Sequence, residues 1–262
     1  NRIRQYGKLF DQLHIIVFSY AQNNYRNIVL DNNIFIYPTN HIFKLFYLYQ
    51  IYKITKSIYK NNKFSVITAQ DPFEAGLAGW LLKLKYKLPL QIQIHMDLFS
   101  PYFRKESFKN KLRLILAGFL LPKADGIRVV SERIKQSLNK SNVACHMSNV
   151  LVLPVFVDVE KIINENIKTD LHKKYFDYNF IILMASRLTK EKNIGMAIEA
   201  MDEIAKKYPK ALLLIVGDGP ESDRLKAQSQ KLKVDNNVIF EPWTEDLISY
   251  YKTADLFLFT SN

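Results

Sequence analysis

At 262 residues and 48 % hydrophobic, the chain is long enough to bury two cores of ordinary domain size, and its formal net charge is +12. The single cysteine, Cys145, excludes an internal disulfide and fits a reducing compartment, and the five histidines lack zinc-ligand spacing. No uninterrupted apolar run reaches the ~18 residues of a bilayer-spanning helix, and no signal peptide, repeat or low-complexity tract is expected.

Strands are expected in the first half at Leu13–Phe18, Phe64–Ala69, Leu90–His95, Gly126–Val130 and Val150–Leu153, with helices between most of them. That alternation predicts a parallel α/β domain. The segment from His41 to Tyr59 mixes Phe, Leu, Ile and Tyr with Lys44, Lys53 and Lys56 and has no acidic residue. Phe108 to Leu121 repeats the theme with Lys109, Lys111 and Arg113. Each reads either as an interfacial helix or as a helix packed on the sheet with a basic outer face. Residues 1–150 hold 22 Lys and Arg against 8 Asp and Glu, while residues 151–262 hold 15 against 17. This basic half favours an anionic membrane surface as partner. Nucleic acid is not expected, since no helix-turn-helix, zinc-finger or RNP signature is present.

Asp71-Pro72-Phe73-Glu74 reads as a helix start, which gives both acids structural work. His95 ends the apolar strand from Leu90, on the face of Gln91 and Gln93, at the edge where open α/β sheets place their chemistry. It is a candidate active-site residue; Ser131 and Glu132 are weaker ones, and Ser131 also suits a helix cap. Pro154 and the polar run Glu160–Asp170 mark a join, which divides the chain into domains 1–153 and 154–262.

In the second half, Phe180–Ala185 reads as a buried strand and Ile194 onward as a helix. Between them, Ser186-Arg-Leu-Thr-Lys-Glu-Lys-Asn193 sets Arg187 and Lys192 at a strand end and a helix start, where the macrodipole is already positive. A phosphate suits such a place; a solvated helix entrance, with Glu191 offsetting the charge, is the alternative. The strand Ala211–Val216 leads into Gly217-Asp218-Gly219-Pro220, with Pro220 expected in the first turn of the next helix. Val238–Phe240, then Glu241-Pro242-Trp243-Thr244, a helix Glu245–Tyr251 and a strand Leu256–Phe259 complete the pattern. Gly217 and Gly219 fit two positions of a dinucleotide fingerprint, but Ser222 occupies the third and the turn is the second of its domain, so a dehydrogenase is excluded. Plain alternatives are a tight turn for the glycines and a core position for Trp243.

Segments 186–193, 213–220, 238–243 and 250–262, in this order and spacing, resemble the donor domain of glycosyltransferase family 4. Segments 66–78, 91–97 and 128–133 look like its acceptor domain. The resemblance implies an α/β protein with two Rossmann-like parallel-sheet domains facing across a cleft, the GT-B fold. It implies a retaining enzyme that moves a sugar from a nucleotide diphosphate-sugar to a lipid-linked or surface-polysaccharide acceptor, without metal or other cofactor. Arg187 and Lys192 would grip the diphosphate, and His95 would lie beside the transferred sugar. Gly217, Asp218, Gly219 and Ser261 would line the donor site, and the backbone of Glu241 to Trp243 would meet the base. Pro242 stands where the family often has Gly, and Val155-Phe156 replaces the usual Asn-Gly of its hinge. The family pattern also implies that a first strand is missing before Asn1 and a phosphate-binding loop after Asn262. A cytoplasmic protein, peripheral at the inner face of the membrane, is expected. The alternatives are a non-catalytic membrane-docking remnant of the same fold and a sugar-nucleotide 2-epimerase.

Overall fold

The computed structural model describes residues 2–43, 46–141, 143 and 149–261; Asn1, Lys44, Cys145 and Asn262 lie outside the described residues. The chain divides into two compact units, Asn1–Val155 and Phe156–Asn262.

The first unit holds two sheets. Strand β1 (Leu13–Val17) pairs parallel with β3 (Ile34–Pro38), and β2 (Ile28–Leu30) pairs antiparallel with β3. Sequence pattern alone did not reveal β2 and β3. They are joined by a short turn in which Asp31 and Asn32 adopt left-handed φ of 49° and 63°, a conformation these two side chains tolerate. Strands β4 (Ile67–Ala69), β5 (Leu90–Ile94), β6 (Gly126–Val129) and β7 (Val150–Val152) form a parallel sheet in that order. One face of this sheet, with Leu90, Ile92, Ile94, Ile127 and Val129, packs on Phe73, Leu98, Ala117, Leu120 and Leu121. The helix Glu74–Tyr86 starts two residues later than the Asp71-Pro72 pattern suggests, with Phe73 at its cap position. Asp71 Oδ1 accepts hydrogen bonds from the N–H groups of Phe73 (2.8 Å) and Ala75 (3.2 Å) and so holds the turn leading into it. Glu74 binds Arg113 Nη2 at 2.8 Å, so both acids do have structural work.

The two basic segments part company here. In the first, the helix Tyr47–Tyr59 buries Ile51 and turns Lys53 and Lys56 outward, with Tyr49 60 % exposed beside them. The helix Phe108–Leu120 instead buries Ala117 and Leu120 while leaving Phe108, Leu112, Ile115 and Phe119 exposed. Their spacing puts these four on one outward stripe, with Ile115 71 % exposed. Among the described residues no helix is long and apolar enough to cross a membrane.

The second unit is one parallel sheet of β8 (Phe180–Ala185), β9 (Ala211–Val216), β10 (Val238–Glu241) and β11 (Leu256–Phe257), in the order β10-β9-β8-β11. Every residue of β9 is buried. Leu213 and Ile215 meet the helices Ile194–Lys207 and Ser222–Lys231, while Leu212, Leu214 and Val216 meet Leu171 and Tyr250 on the other face. A strand covered on both sides has no polar face, which is why it reads as one apolar run. Three expectations shift. β11 is two residues long, Pro220 lies in the turn before the helix that starts at Ser222, and the last helix runs Leu247–Thr253. In the last case Thr244 Oγ1 accepts from Asp246 N at 3.1 Å, which holds residues 244–246 as a turn ahead of the helix.

Candidate functional site

The ends of β8, β9 and β10 each lead into a loop, and backbone hydrogen bonds tie the three loops together. Leu188 N donates to Asp218 O (2.9 Å), Glu221 N to Leu188 O (3.0 Å), and Gly217 N to Glu241 O (2.9 Å). Asp218 adds a side-chain link, with its Oδ2 accepting from Trp243 N at 3.2 Å. Gly217 has φ of +142°, and a Cβ there would lie 2.0 Å from Ser186 O; one on Gly219 would lie 2.4 Å from Leu188 O. The glycines therefore make room first for the chain's own Ser186–Leu188 segment, and this is more than a plain tight turn.

Arg187 stands out from this cluster. Its side chain is 78 % exposed and, among the described residues, its one ion pair is a 3.4 Å contact with Glu191, a surface pair of little energetic weight. Lys190 to Lys192 form a 3-10 turn, and Asn193, at φ 48°, redirects the chain into the helix from Ile194. The lysines thus precede the helix instead of occupying its first turn. Thr260 Oγ1 donates to Lys192 O (2.8 Å) and Asn193 O (3.1 Å), bringing the chain after β11 into the same cluster. Two hydroxyls here, Thr189 Oγ1 and Ser261 Oγ, are buried and find no hydrogen-bond partner among the described residues. Leaving such a group unpaired costs about 1–3 kcal/mol, and two of them lie on the segments that carry Arg187 and Thr260. Thr189 also lines a cavity of about 350 Å³ with Lys190, Asn193, Glu221 and Arg224. Nothing in the motif singled out Thr189; its burial is a tertiary property.

Glu241 and Trp243 divide in role. The Glu241 carboxylate is only 13 % exposed and accepts from Lys174 Nζ (2.6 Å), Tyr250 Oη (2.6 Å) and Tyr175 Oη. Burial raises its pKa, but these three donors outweigh burial and hold it below the ordinary glutamate value. Trp243 is 57 % exposed, so it is not a core aromatic.

His95 belongs to the first unit. Strand β5 ends at Ile94, so His95 is the first residue beyond it and is exposed. On the same strand face, Arg128 Nη1 donates to Gln93 Oε1 (2.9 Å), Gln93 Nε2 to Thr68 Oγ1 (3.2 Å), and Thr68 Oγ1 to Gln91 Oε1 (2.9 Å). Partial burial, then the Arg128 cation, pushes the His95 pKa below its usual value, with Asp71 opposing. Ser131 Oγ accepts from Ile134 N at 3.4 Å and so acts as a helix cap, with Glu132 exposed in that helix's first turn. Among the described residues no group of three His, Cys, Asp or Glu side chains could hold a metal ion.

Comparison with known proteins gives two family matches, Glycosyltransferase Family 4 over residues 3–161 and Glycosyl transferases group 1 over residues 168–262. The chain is 28 % identical over 228 residues to the alpha-monoglucosyldiacylglycerol synthase of Streptococcus pneumoniae, covering 82 % of this chain and 51 % of that protein. It is 23 % identical to an uncharacterized glycosyltransferase of Methanocaldococcus jannaschii, covering 99 % of this chain and 65 % of that one. The chain thus spans between half and two thirds of the length of these relatives. Anabaena HepE, solved in complex with UDP-glucose, superposes with a TM-score of 0.69 at 20 % identity, covering 88 % of this chain and 61 % of HepE. That likeness is one of fold, an α/β architecture of Rossmann-like parallel-sheet units of the GT-B class. With the family 4 model matched over more than half of its length, the chain belongs to glycosyltransferase family 4.

Proposed function

We propose that this protein moves a sugar from a nucleotide diphosphate-sugar to a lipid-linked or surface-polysaccharide acceptor, with retention of anomeric configuration. The observation that carries the reading is the 186–193 loop. It presents exposed Arg187 and the Lys190–Lys192 turn, and its main chain at Leu188 is hydrogen-bonded to the Gly217–Glu221 turn at the carboxyl edge of the sheet. In the transfer, an acceptor hydroxyl oxygen bonds to the anomeric carbon from the face that the diphosphate leaves, and the bond from that carbon to the diphosphate oxygen breaks. The departing diphosphate oxygen takes up the hydroxyl proton, so configuration is retained. Charge grows on the departing diphosphate, and Arg187 and Lys192 offset it without a metal. Gly217, Asp218, Gly219 and Ser261 shape the donor site, and exposed Trp243 offers a face to the base. A relative named as a glycolipid synthase and a structural neighbour solved with UDP-glucose support a uridine diphosphate-sugar donor and a lipid acceptor. The test is transfer of labelled hexose from UDP- or GDP-hexose into lipid or polysaccharide. Epimerised donor with no transferred label would sink this reading in favour of the epimerase.

His95, held neutral, sets the acid limit of the reaction. Its pKa is depressed, so more acid is needed to protonate it than an ordinary histidine requires. The acid limb of the rate therefore falls below about pH 6.5. An acid limb above that value in the same assay contradicts a neutral, working His95.

The protein acts from the cytoplasmic face of the membrane as a peripheral enzyme. The outward stripe Phe108, Leu112, Ile115 and Phe119, flanked by Lys109, Lys111 and Lys123, supports this, with Lys123 Nζ 3.8 Å from the Phe119 ring centroid. Burying an isoleucine contributes about 1.5–3 kcal/mol, so Ile115→Asp weakens binding to phosphatidylglycerol vesicles roughly 10- to 100-fold without changing the circular dichroism. Unchanged vesicle binding by this variant argues that the stripe does not meet lipid.

A further inference from the structure

The Glu241 carboxylate accepts three side-chain hydrogen bonds, an arrangement that the motif resemblance does not explain. Lys174 Nζ reaches Glu241 Oε1 at 2.6 Å and Tyr250 Oη at 3.1 Å, and it lies 5.5 Å from the ring centroids of both Tyr175 and Tyr250. Tyr250 Oη donates to the second carboxylate oxygen at 2.6 Å, and Tyr175 Oη to the first. Three donors from two other elements thus converge on one side chain at the last residue of β10. Glu241 is 13 % exposed but Lys174 is 42 % exposed, so the half-buried pair carries modest energetic weight and its value lies in holding a position. The position is a telling one. The main-chain carbonyl of Glu241 receives the N–H of Gly217, and two residues on, the N–H of Trp243 binds Asp218.

We infer that Lys174, Tyr175 and Tyr250 are positioning residues of the donor site, which clamp Glu241 so that its main chain and Trp243 form a fixed seat for the nucleoside part of a nucleoside diphosphate. The clamp acts through the Gly217 turn and the Trp243 loop, and none of its three members needs to touch the ligand. This role rests on the nucleotide-sugar reading above. It goes beyond that reading by assigning donor affinity, as distinct from turnover, to residues outside the motif.

Titration of the full-length protein with UDP, and steady-state kinetics with UDP-glucose, test it. Lys174→Met removes the ammonium and keeps the stem. It raises the Kd for UDP and the donor KM about tenfold and leaves kcat within about twofold, because seating and not charge stabilisation is lost. Lys174→Arg restores most of the affinity. Tyr250→Phe removes one hydroxyl donor without changing volume, so it serves if the methionine variant fails to fold, and it raises both constants in the same sense. Clamp variants that melt earlier but keep wild-type Kd and KM overturn the inference and leave a purely structural cluster. A wild type that binds neither UDP nor GDP overturns the donor reading itself, which is a separate outcome.

Discussion

Replacing Arg187 by alanine slows sugar transfer roughly 100- to 1000-fold at saturating donor, the loss of ~2.7–4 kcal/mol that follows removal of one group aimed at developing charge. The size of the effect comes from when the contact matters. A guanidinium that meets the diphosphate mainly as charge builds on it lowers the barrier and not just the ground state, so kcat falls along with kcat/KM. The fold is unaffected, because Arg187 is largely solvent-exposed and, among the described residues, its only ion pair is the 3.4 Å contact with Glu191. Thermal melts of variant and wild type therefore coincide, which separates a catalytic loss from an unfolded protein. Arg187→Lys keeps the charge but not the forked geometry and falls between the two. Near-normal turnover by Arg187→Ala with saturating donor removes this residue from the reaction.

Gly217→Ala has the second large effect, by a different route. The backbone here has φ of +142°, a region open to glycine, and a methyl group would sit 2.0 Å from the carbonyl oxygen of Ser186. That oxygen belongs to main chain held in the loop cluster, so relief requires the 186–188 segment to move away from the turn. The cost is at least ~3 kcal/mol, equivalent to a fall in Tm of roughly 6–12 °C. Arg187 moves with its segment, so donor affinity drops alongside stability. A melting temperature within about 2 °C of wild type would show that the loops are not packed as described.

Much of the second unit was legible in the sequence for a physical reason. Strands β8 and β9 are buried on both faces, so Phe180–Ala185 and Ala211–Val216 read as unbroken apolar runs, and polar loops mark their ends. The β2–β3 hairpin was not legible, because Ile28–Leu30 is too short for a period to emerge. The two lysine-rich segments looked alike in composition, but which side of a helix is buried is decided by its neighbours. Only the structure separates the basic outer face of Tyr47–Tyr59 from the apolar stripe of Phe108–Leu120. At the site, the loop bearing Arg187 and the glycine turn were recognisable as motifs. Thr189 and the Glu241 clamp were not. Lys174 lies 67 residues before Glu241, and nothing in either local sequence announces that they meet. Asp71 and Ser131 make the short-range hydrogen bonds to backbone N–H groups that their local sequence suggested, whereas Glu74 meets Arg113, a partner 39 residues away that no local pattern announces.

The most direct measurement is a calorimetric titration of the full-length protein with UDP and with GDP, repeated for Arg187→Ala and Lys192→Ala. One nucleotide should bind to the wild type at a single site, and each variant should bind it at least about tenfold more weakly, the loss of one charge-assisted contact to phosphate. Heat from neither nucleotide, or equal affinity in all three proteins, would contradict a diphosphate site built on the 186–193 loop.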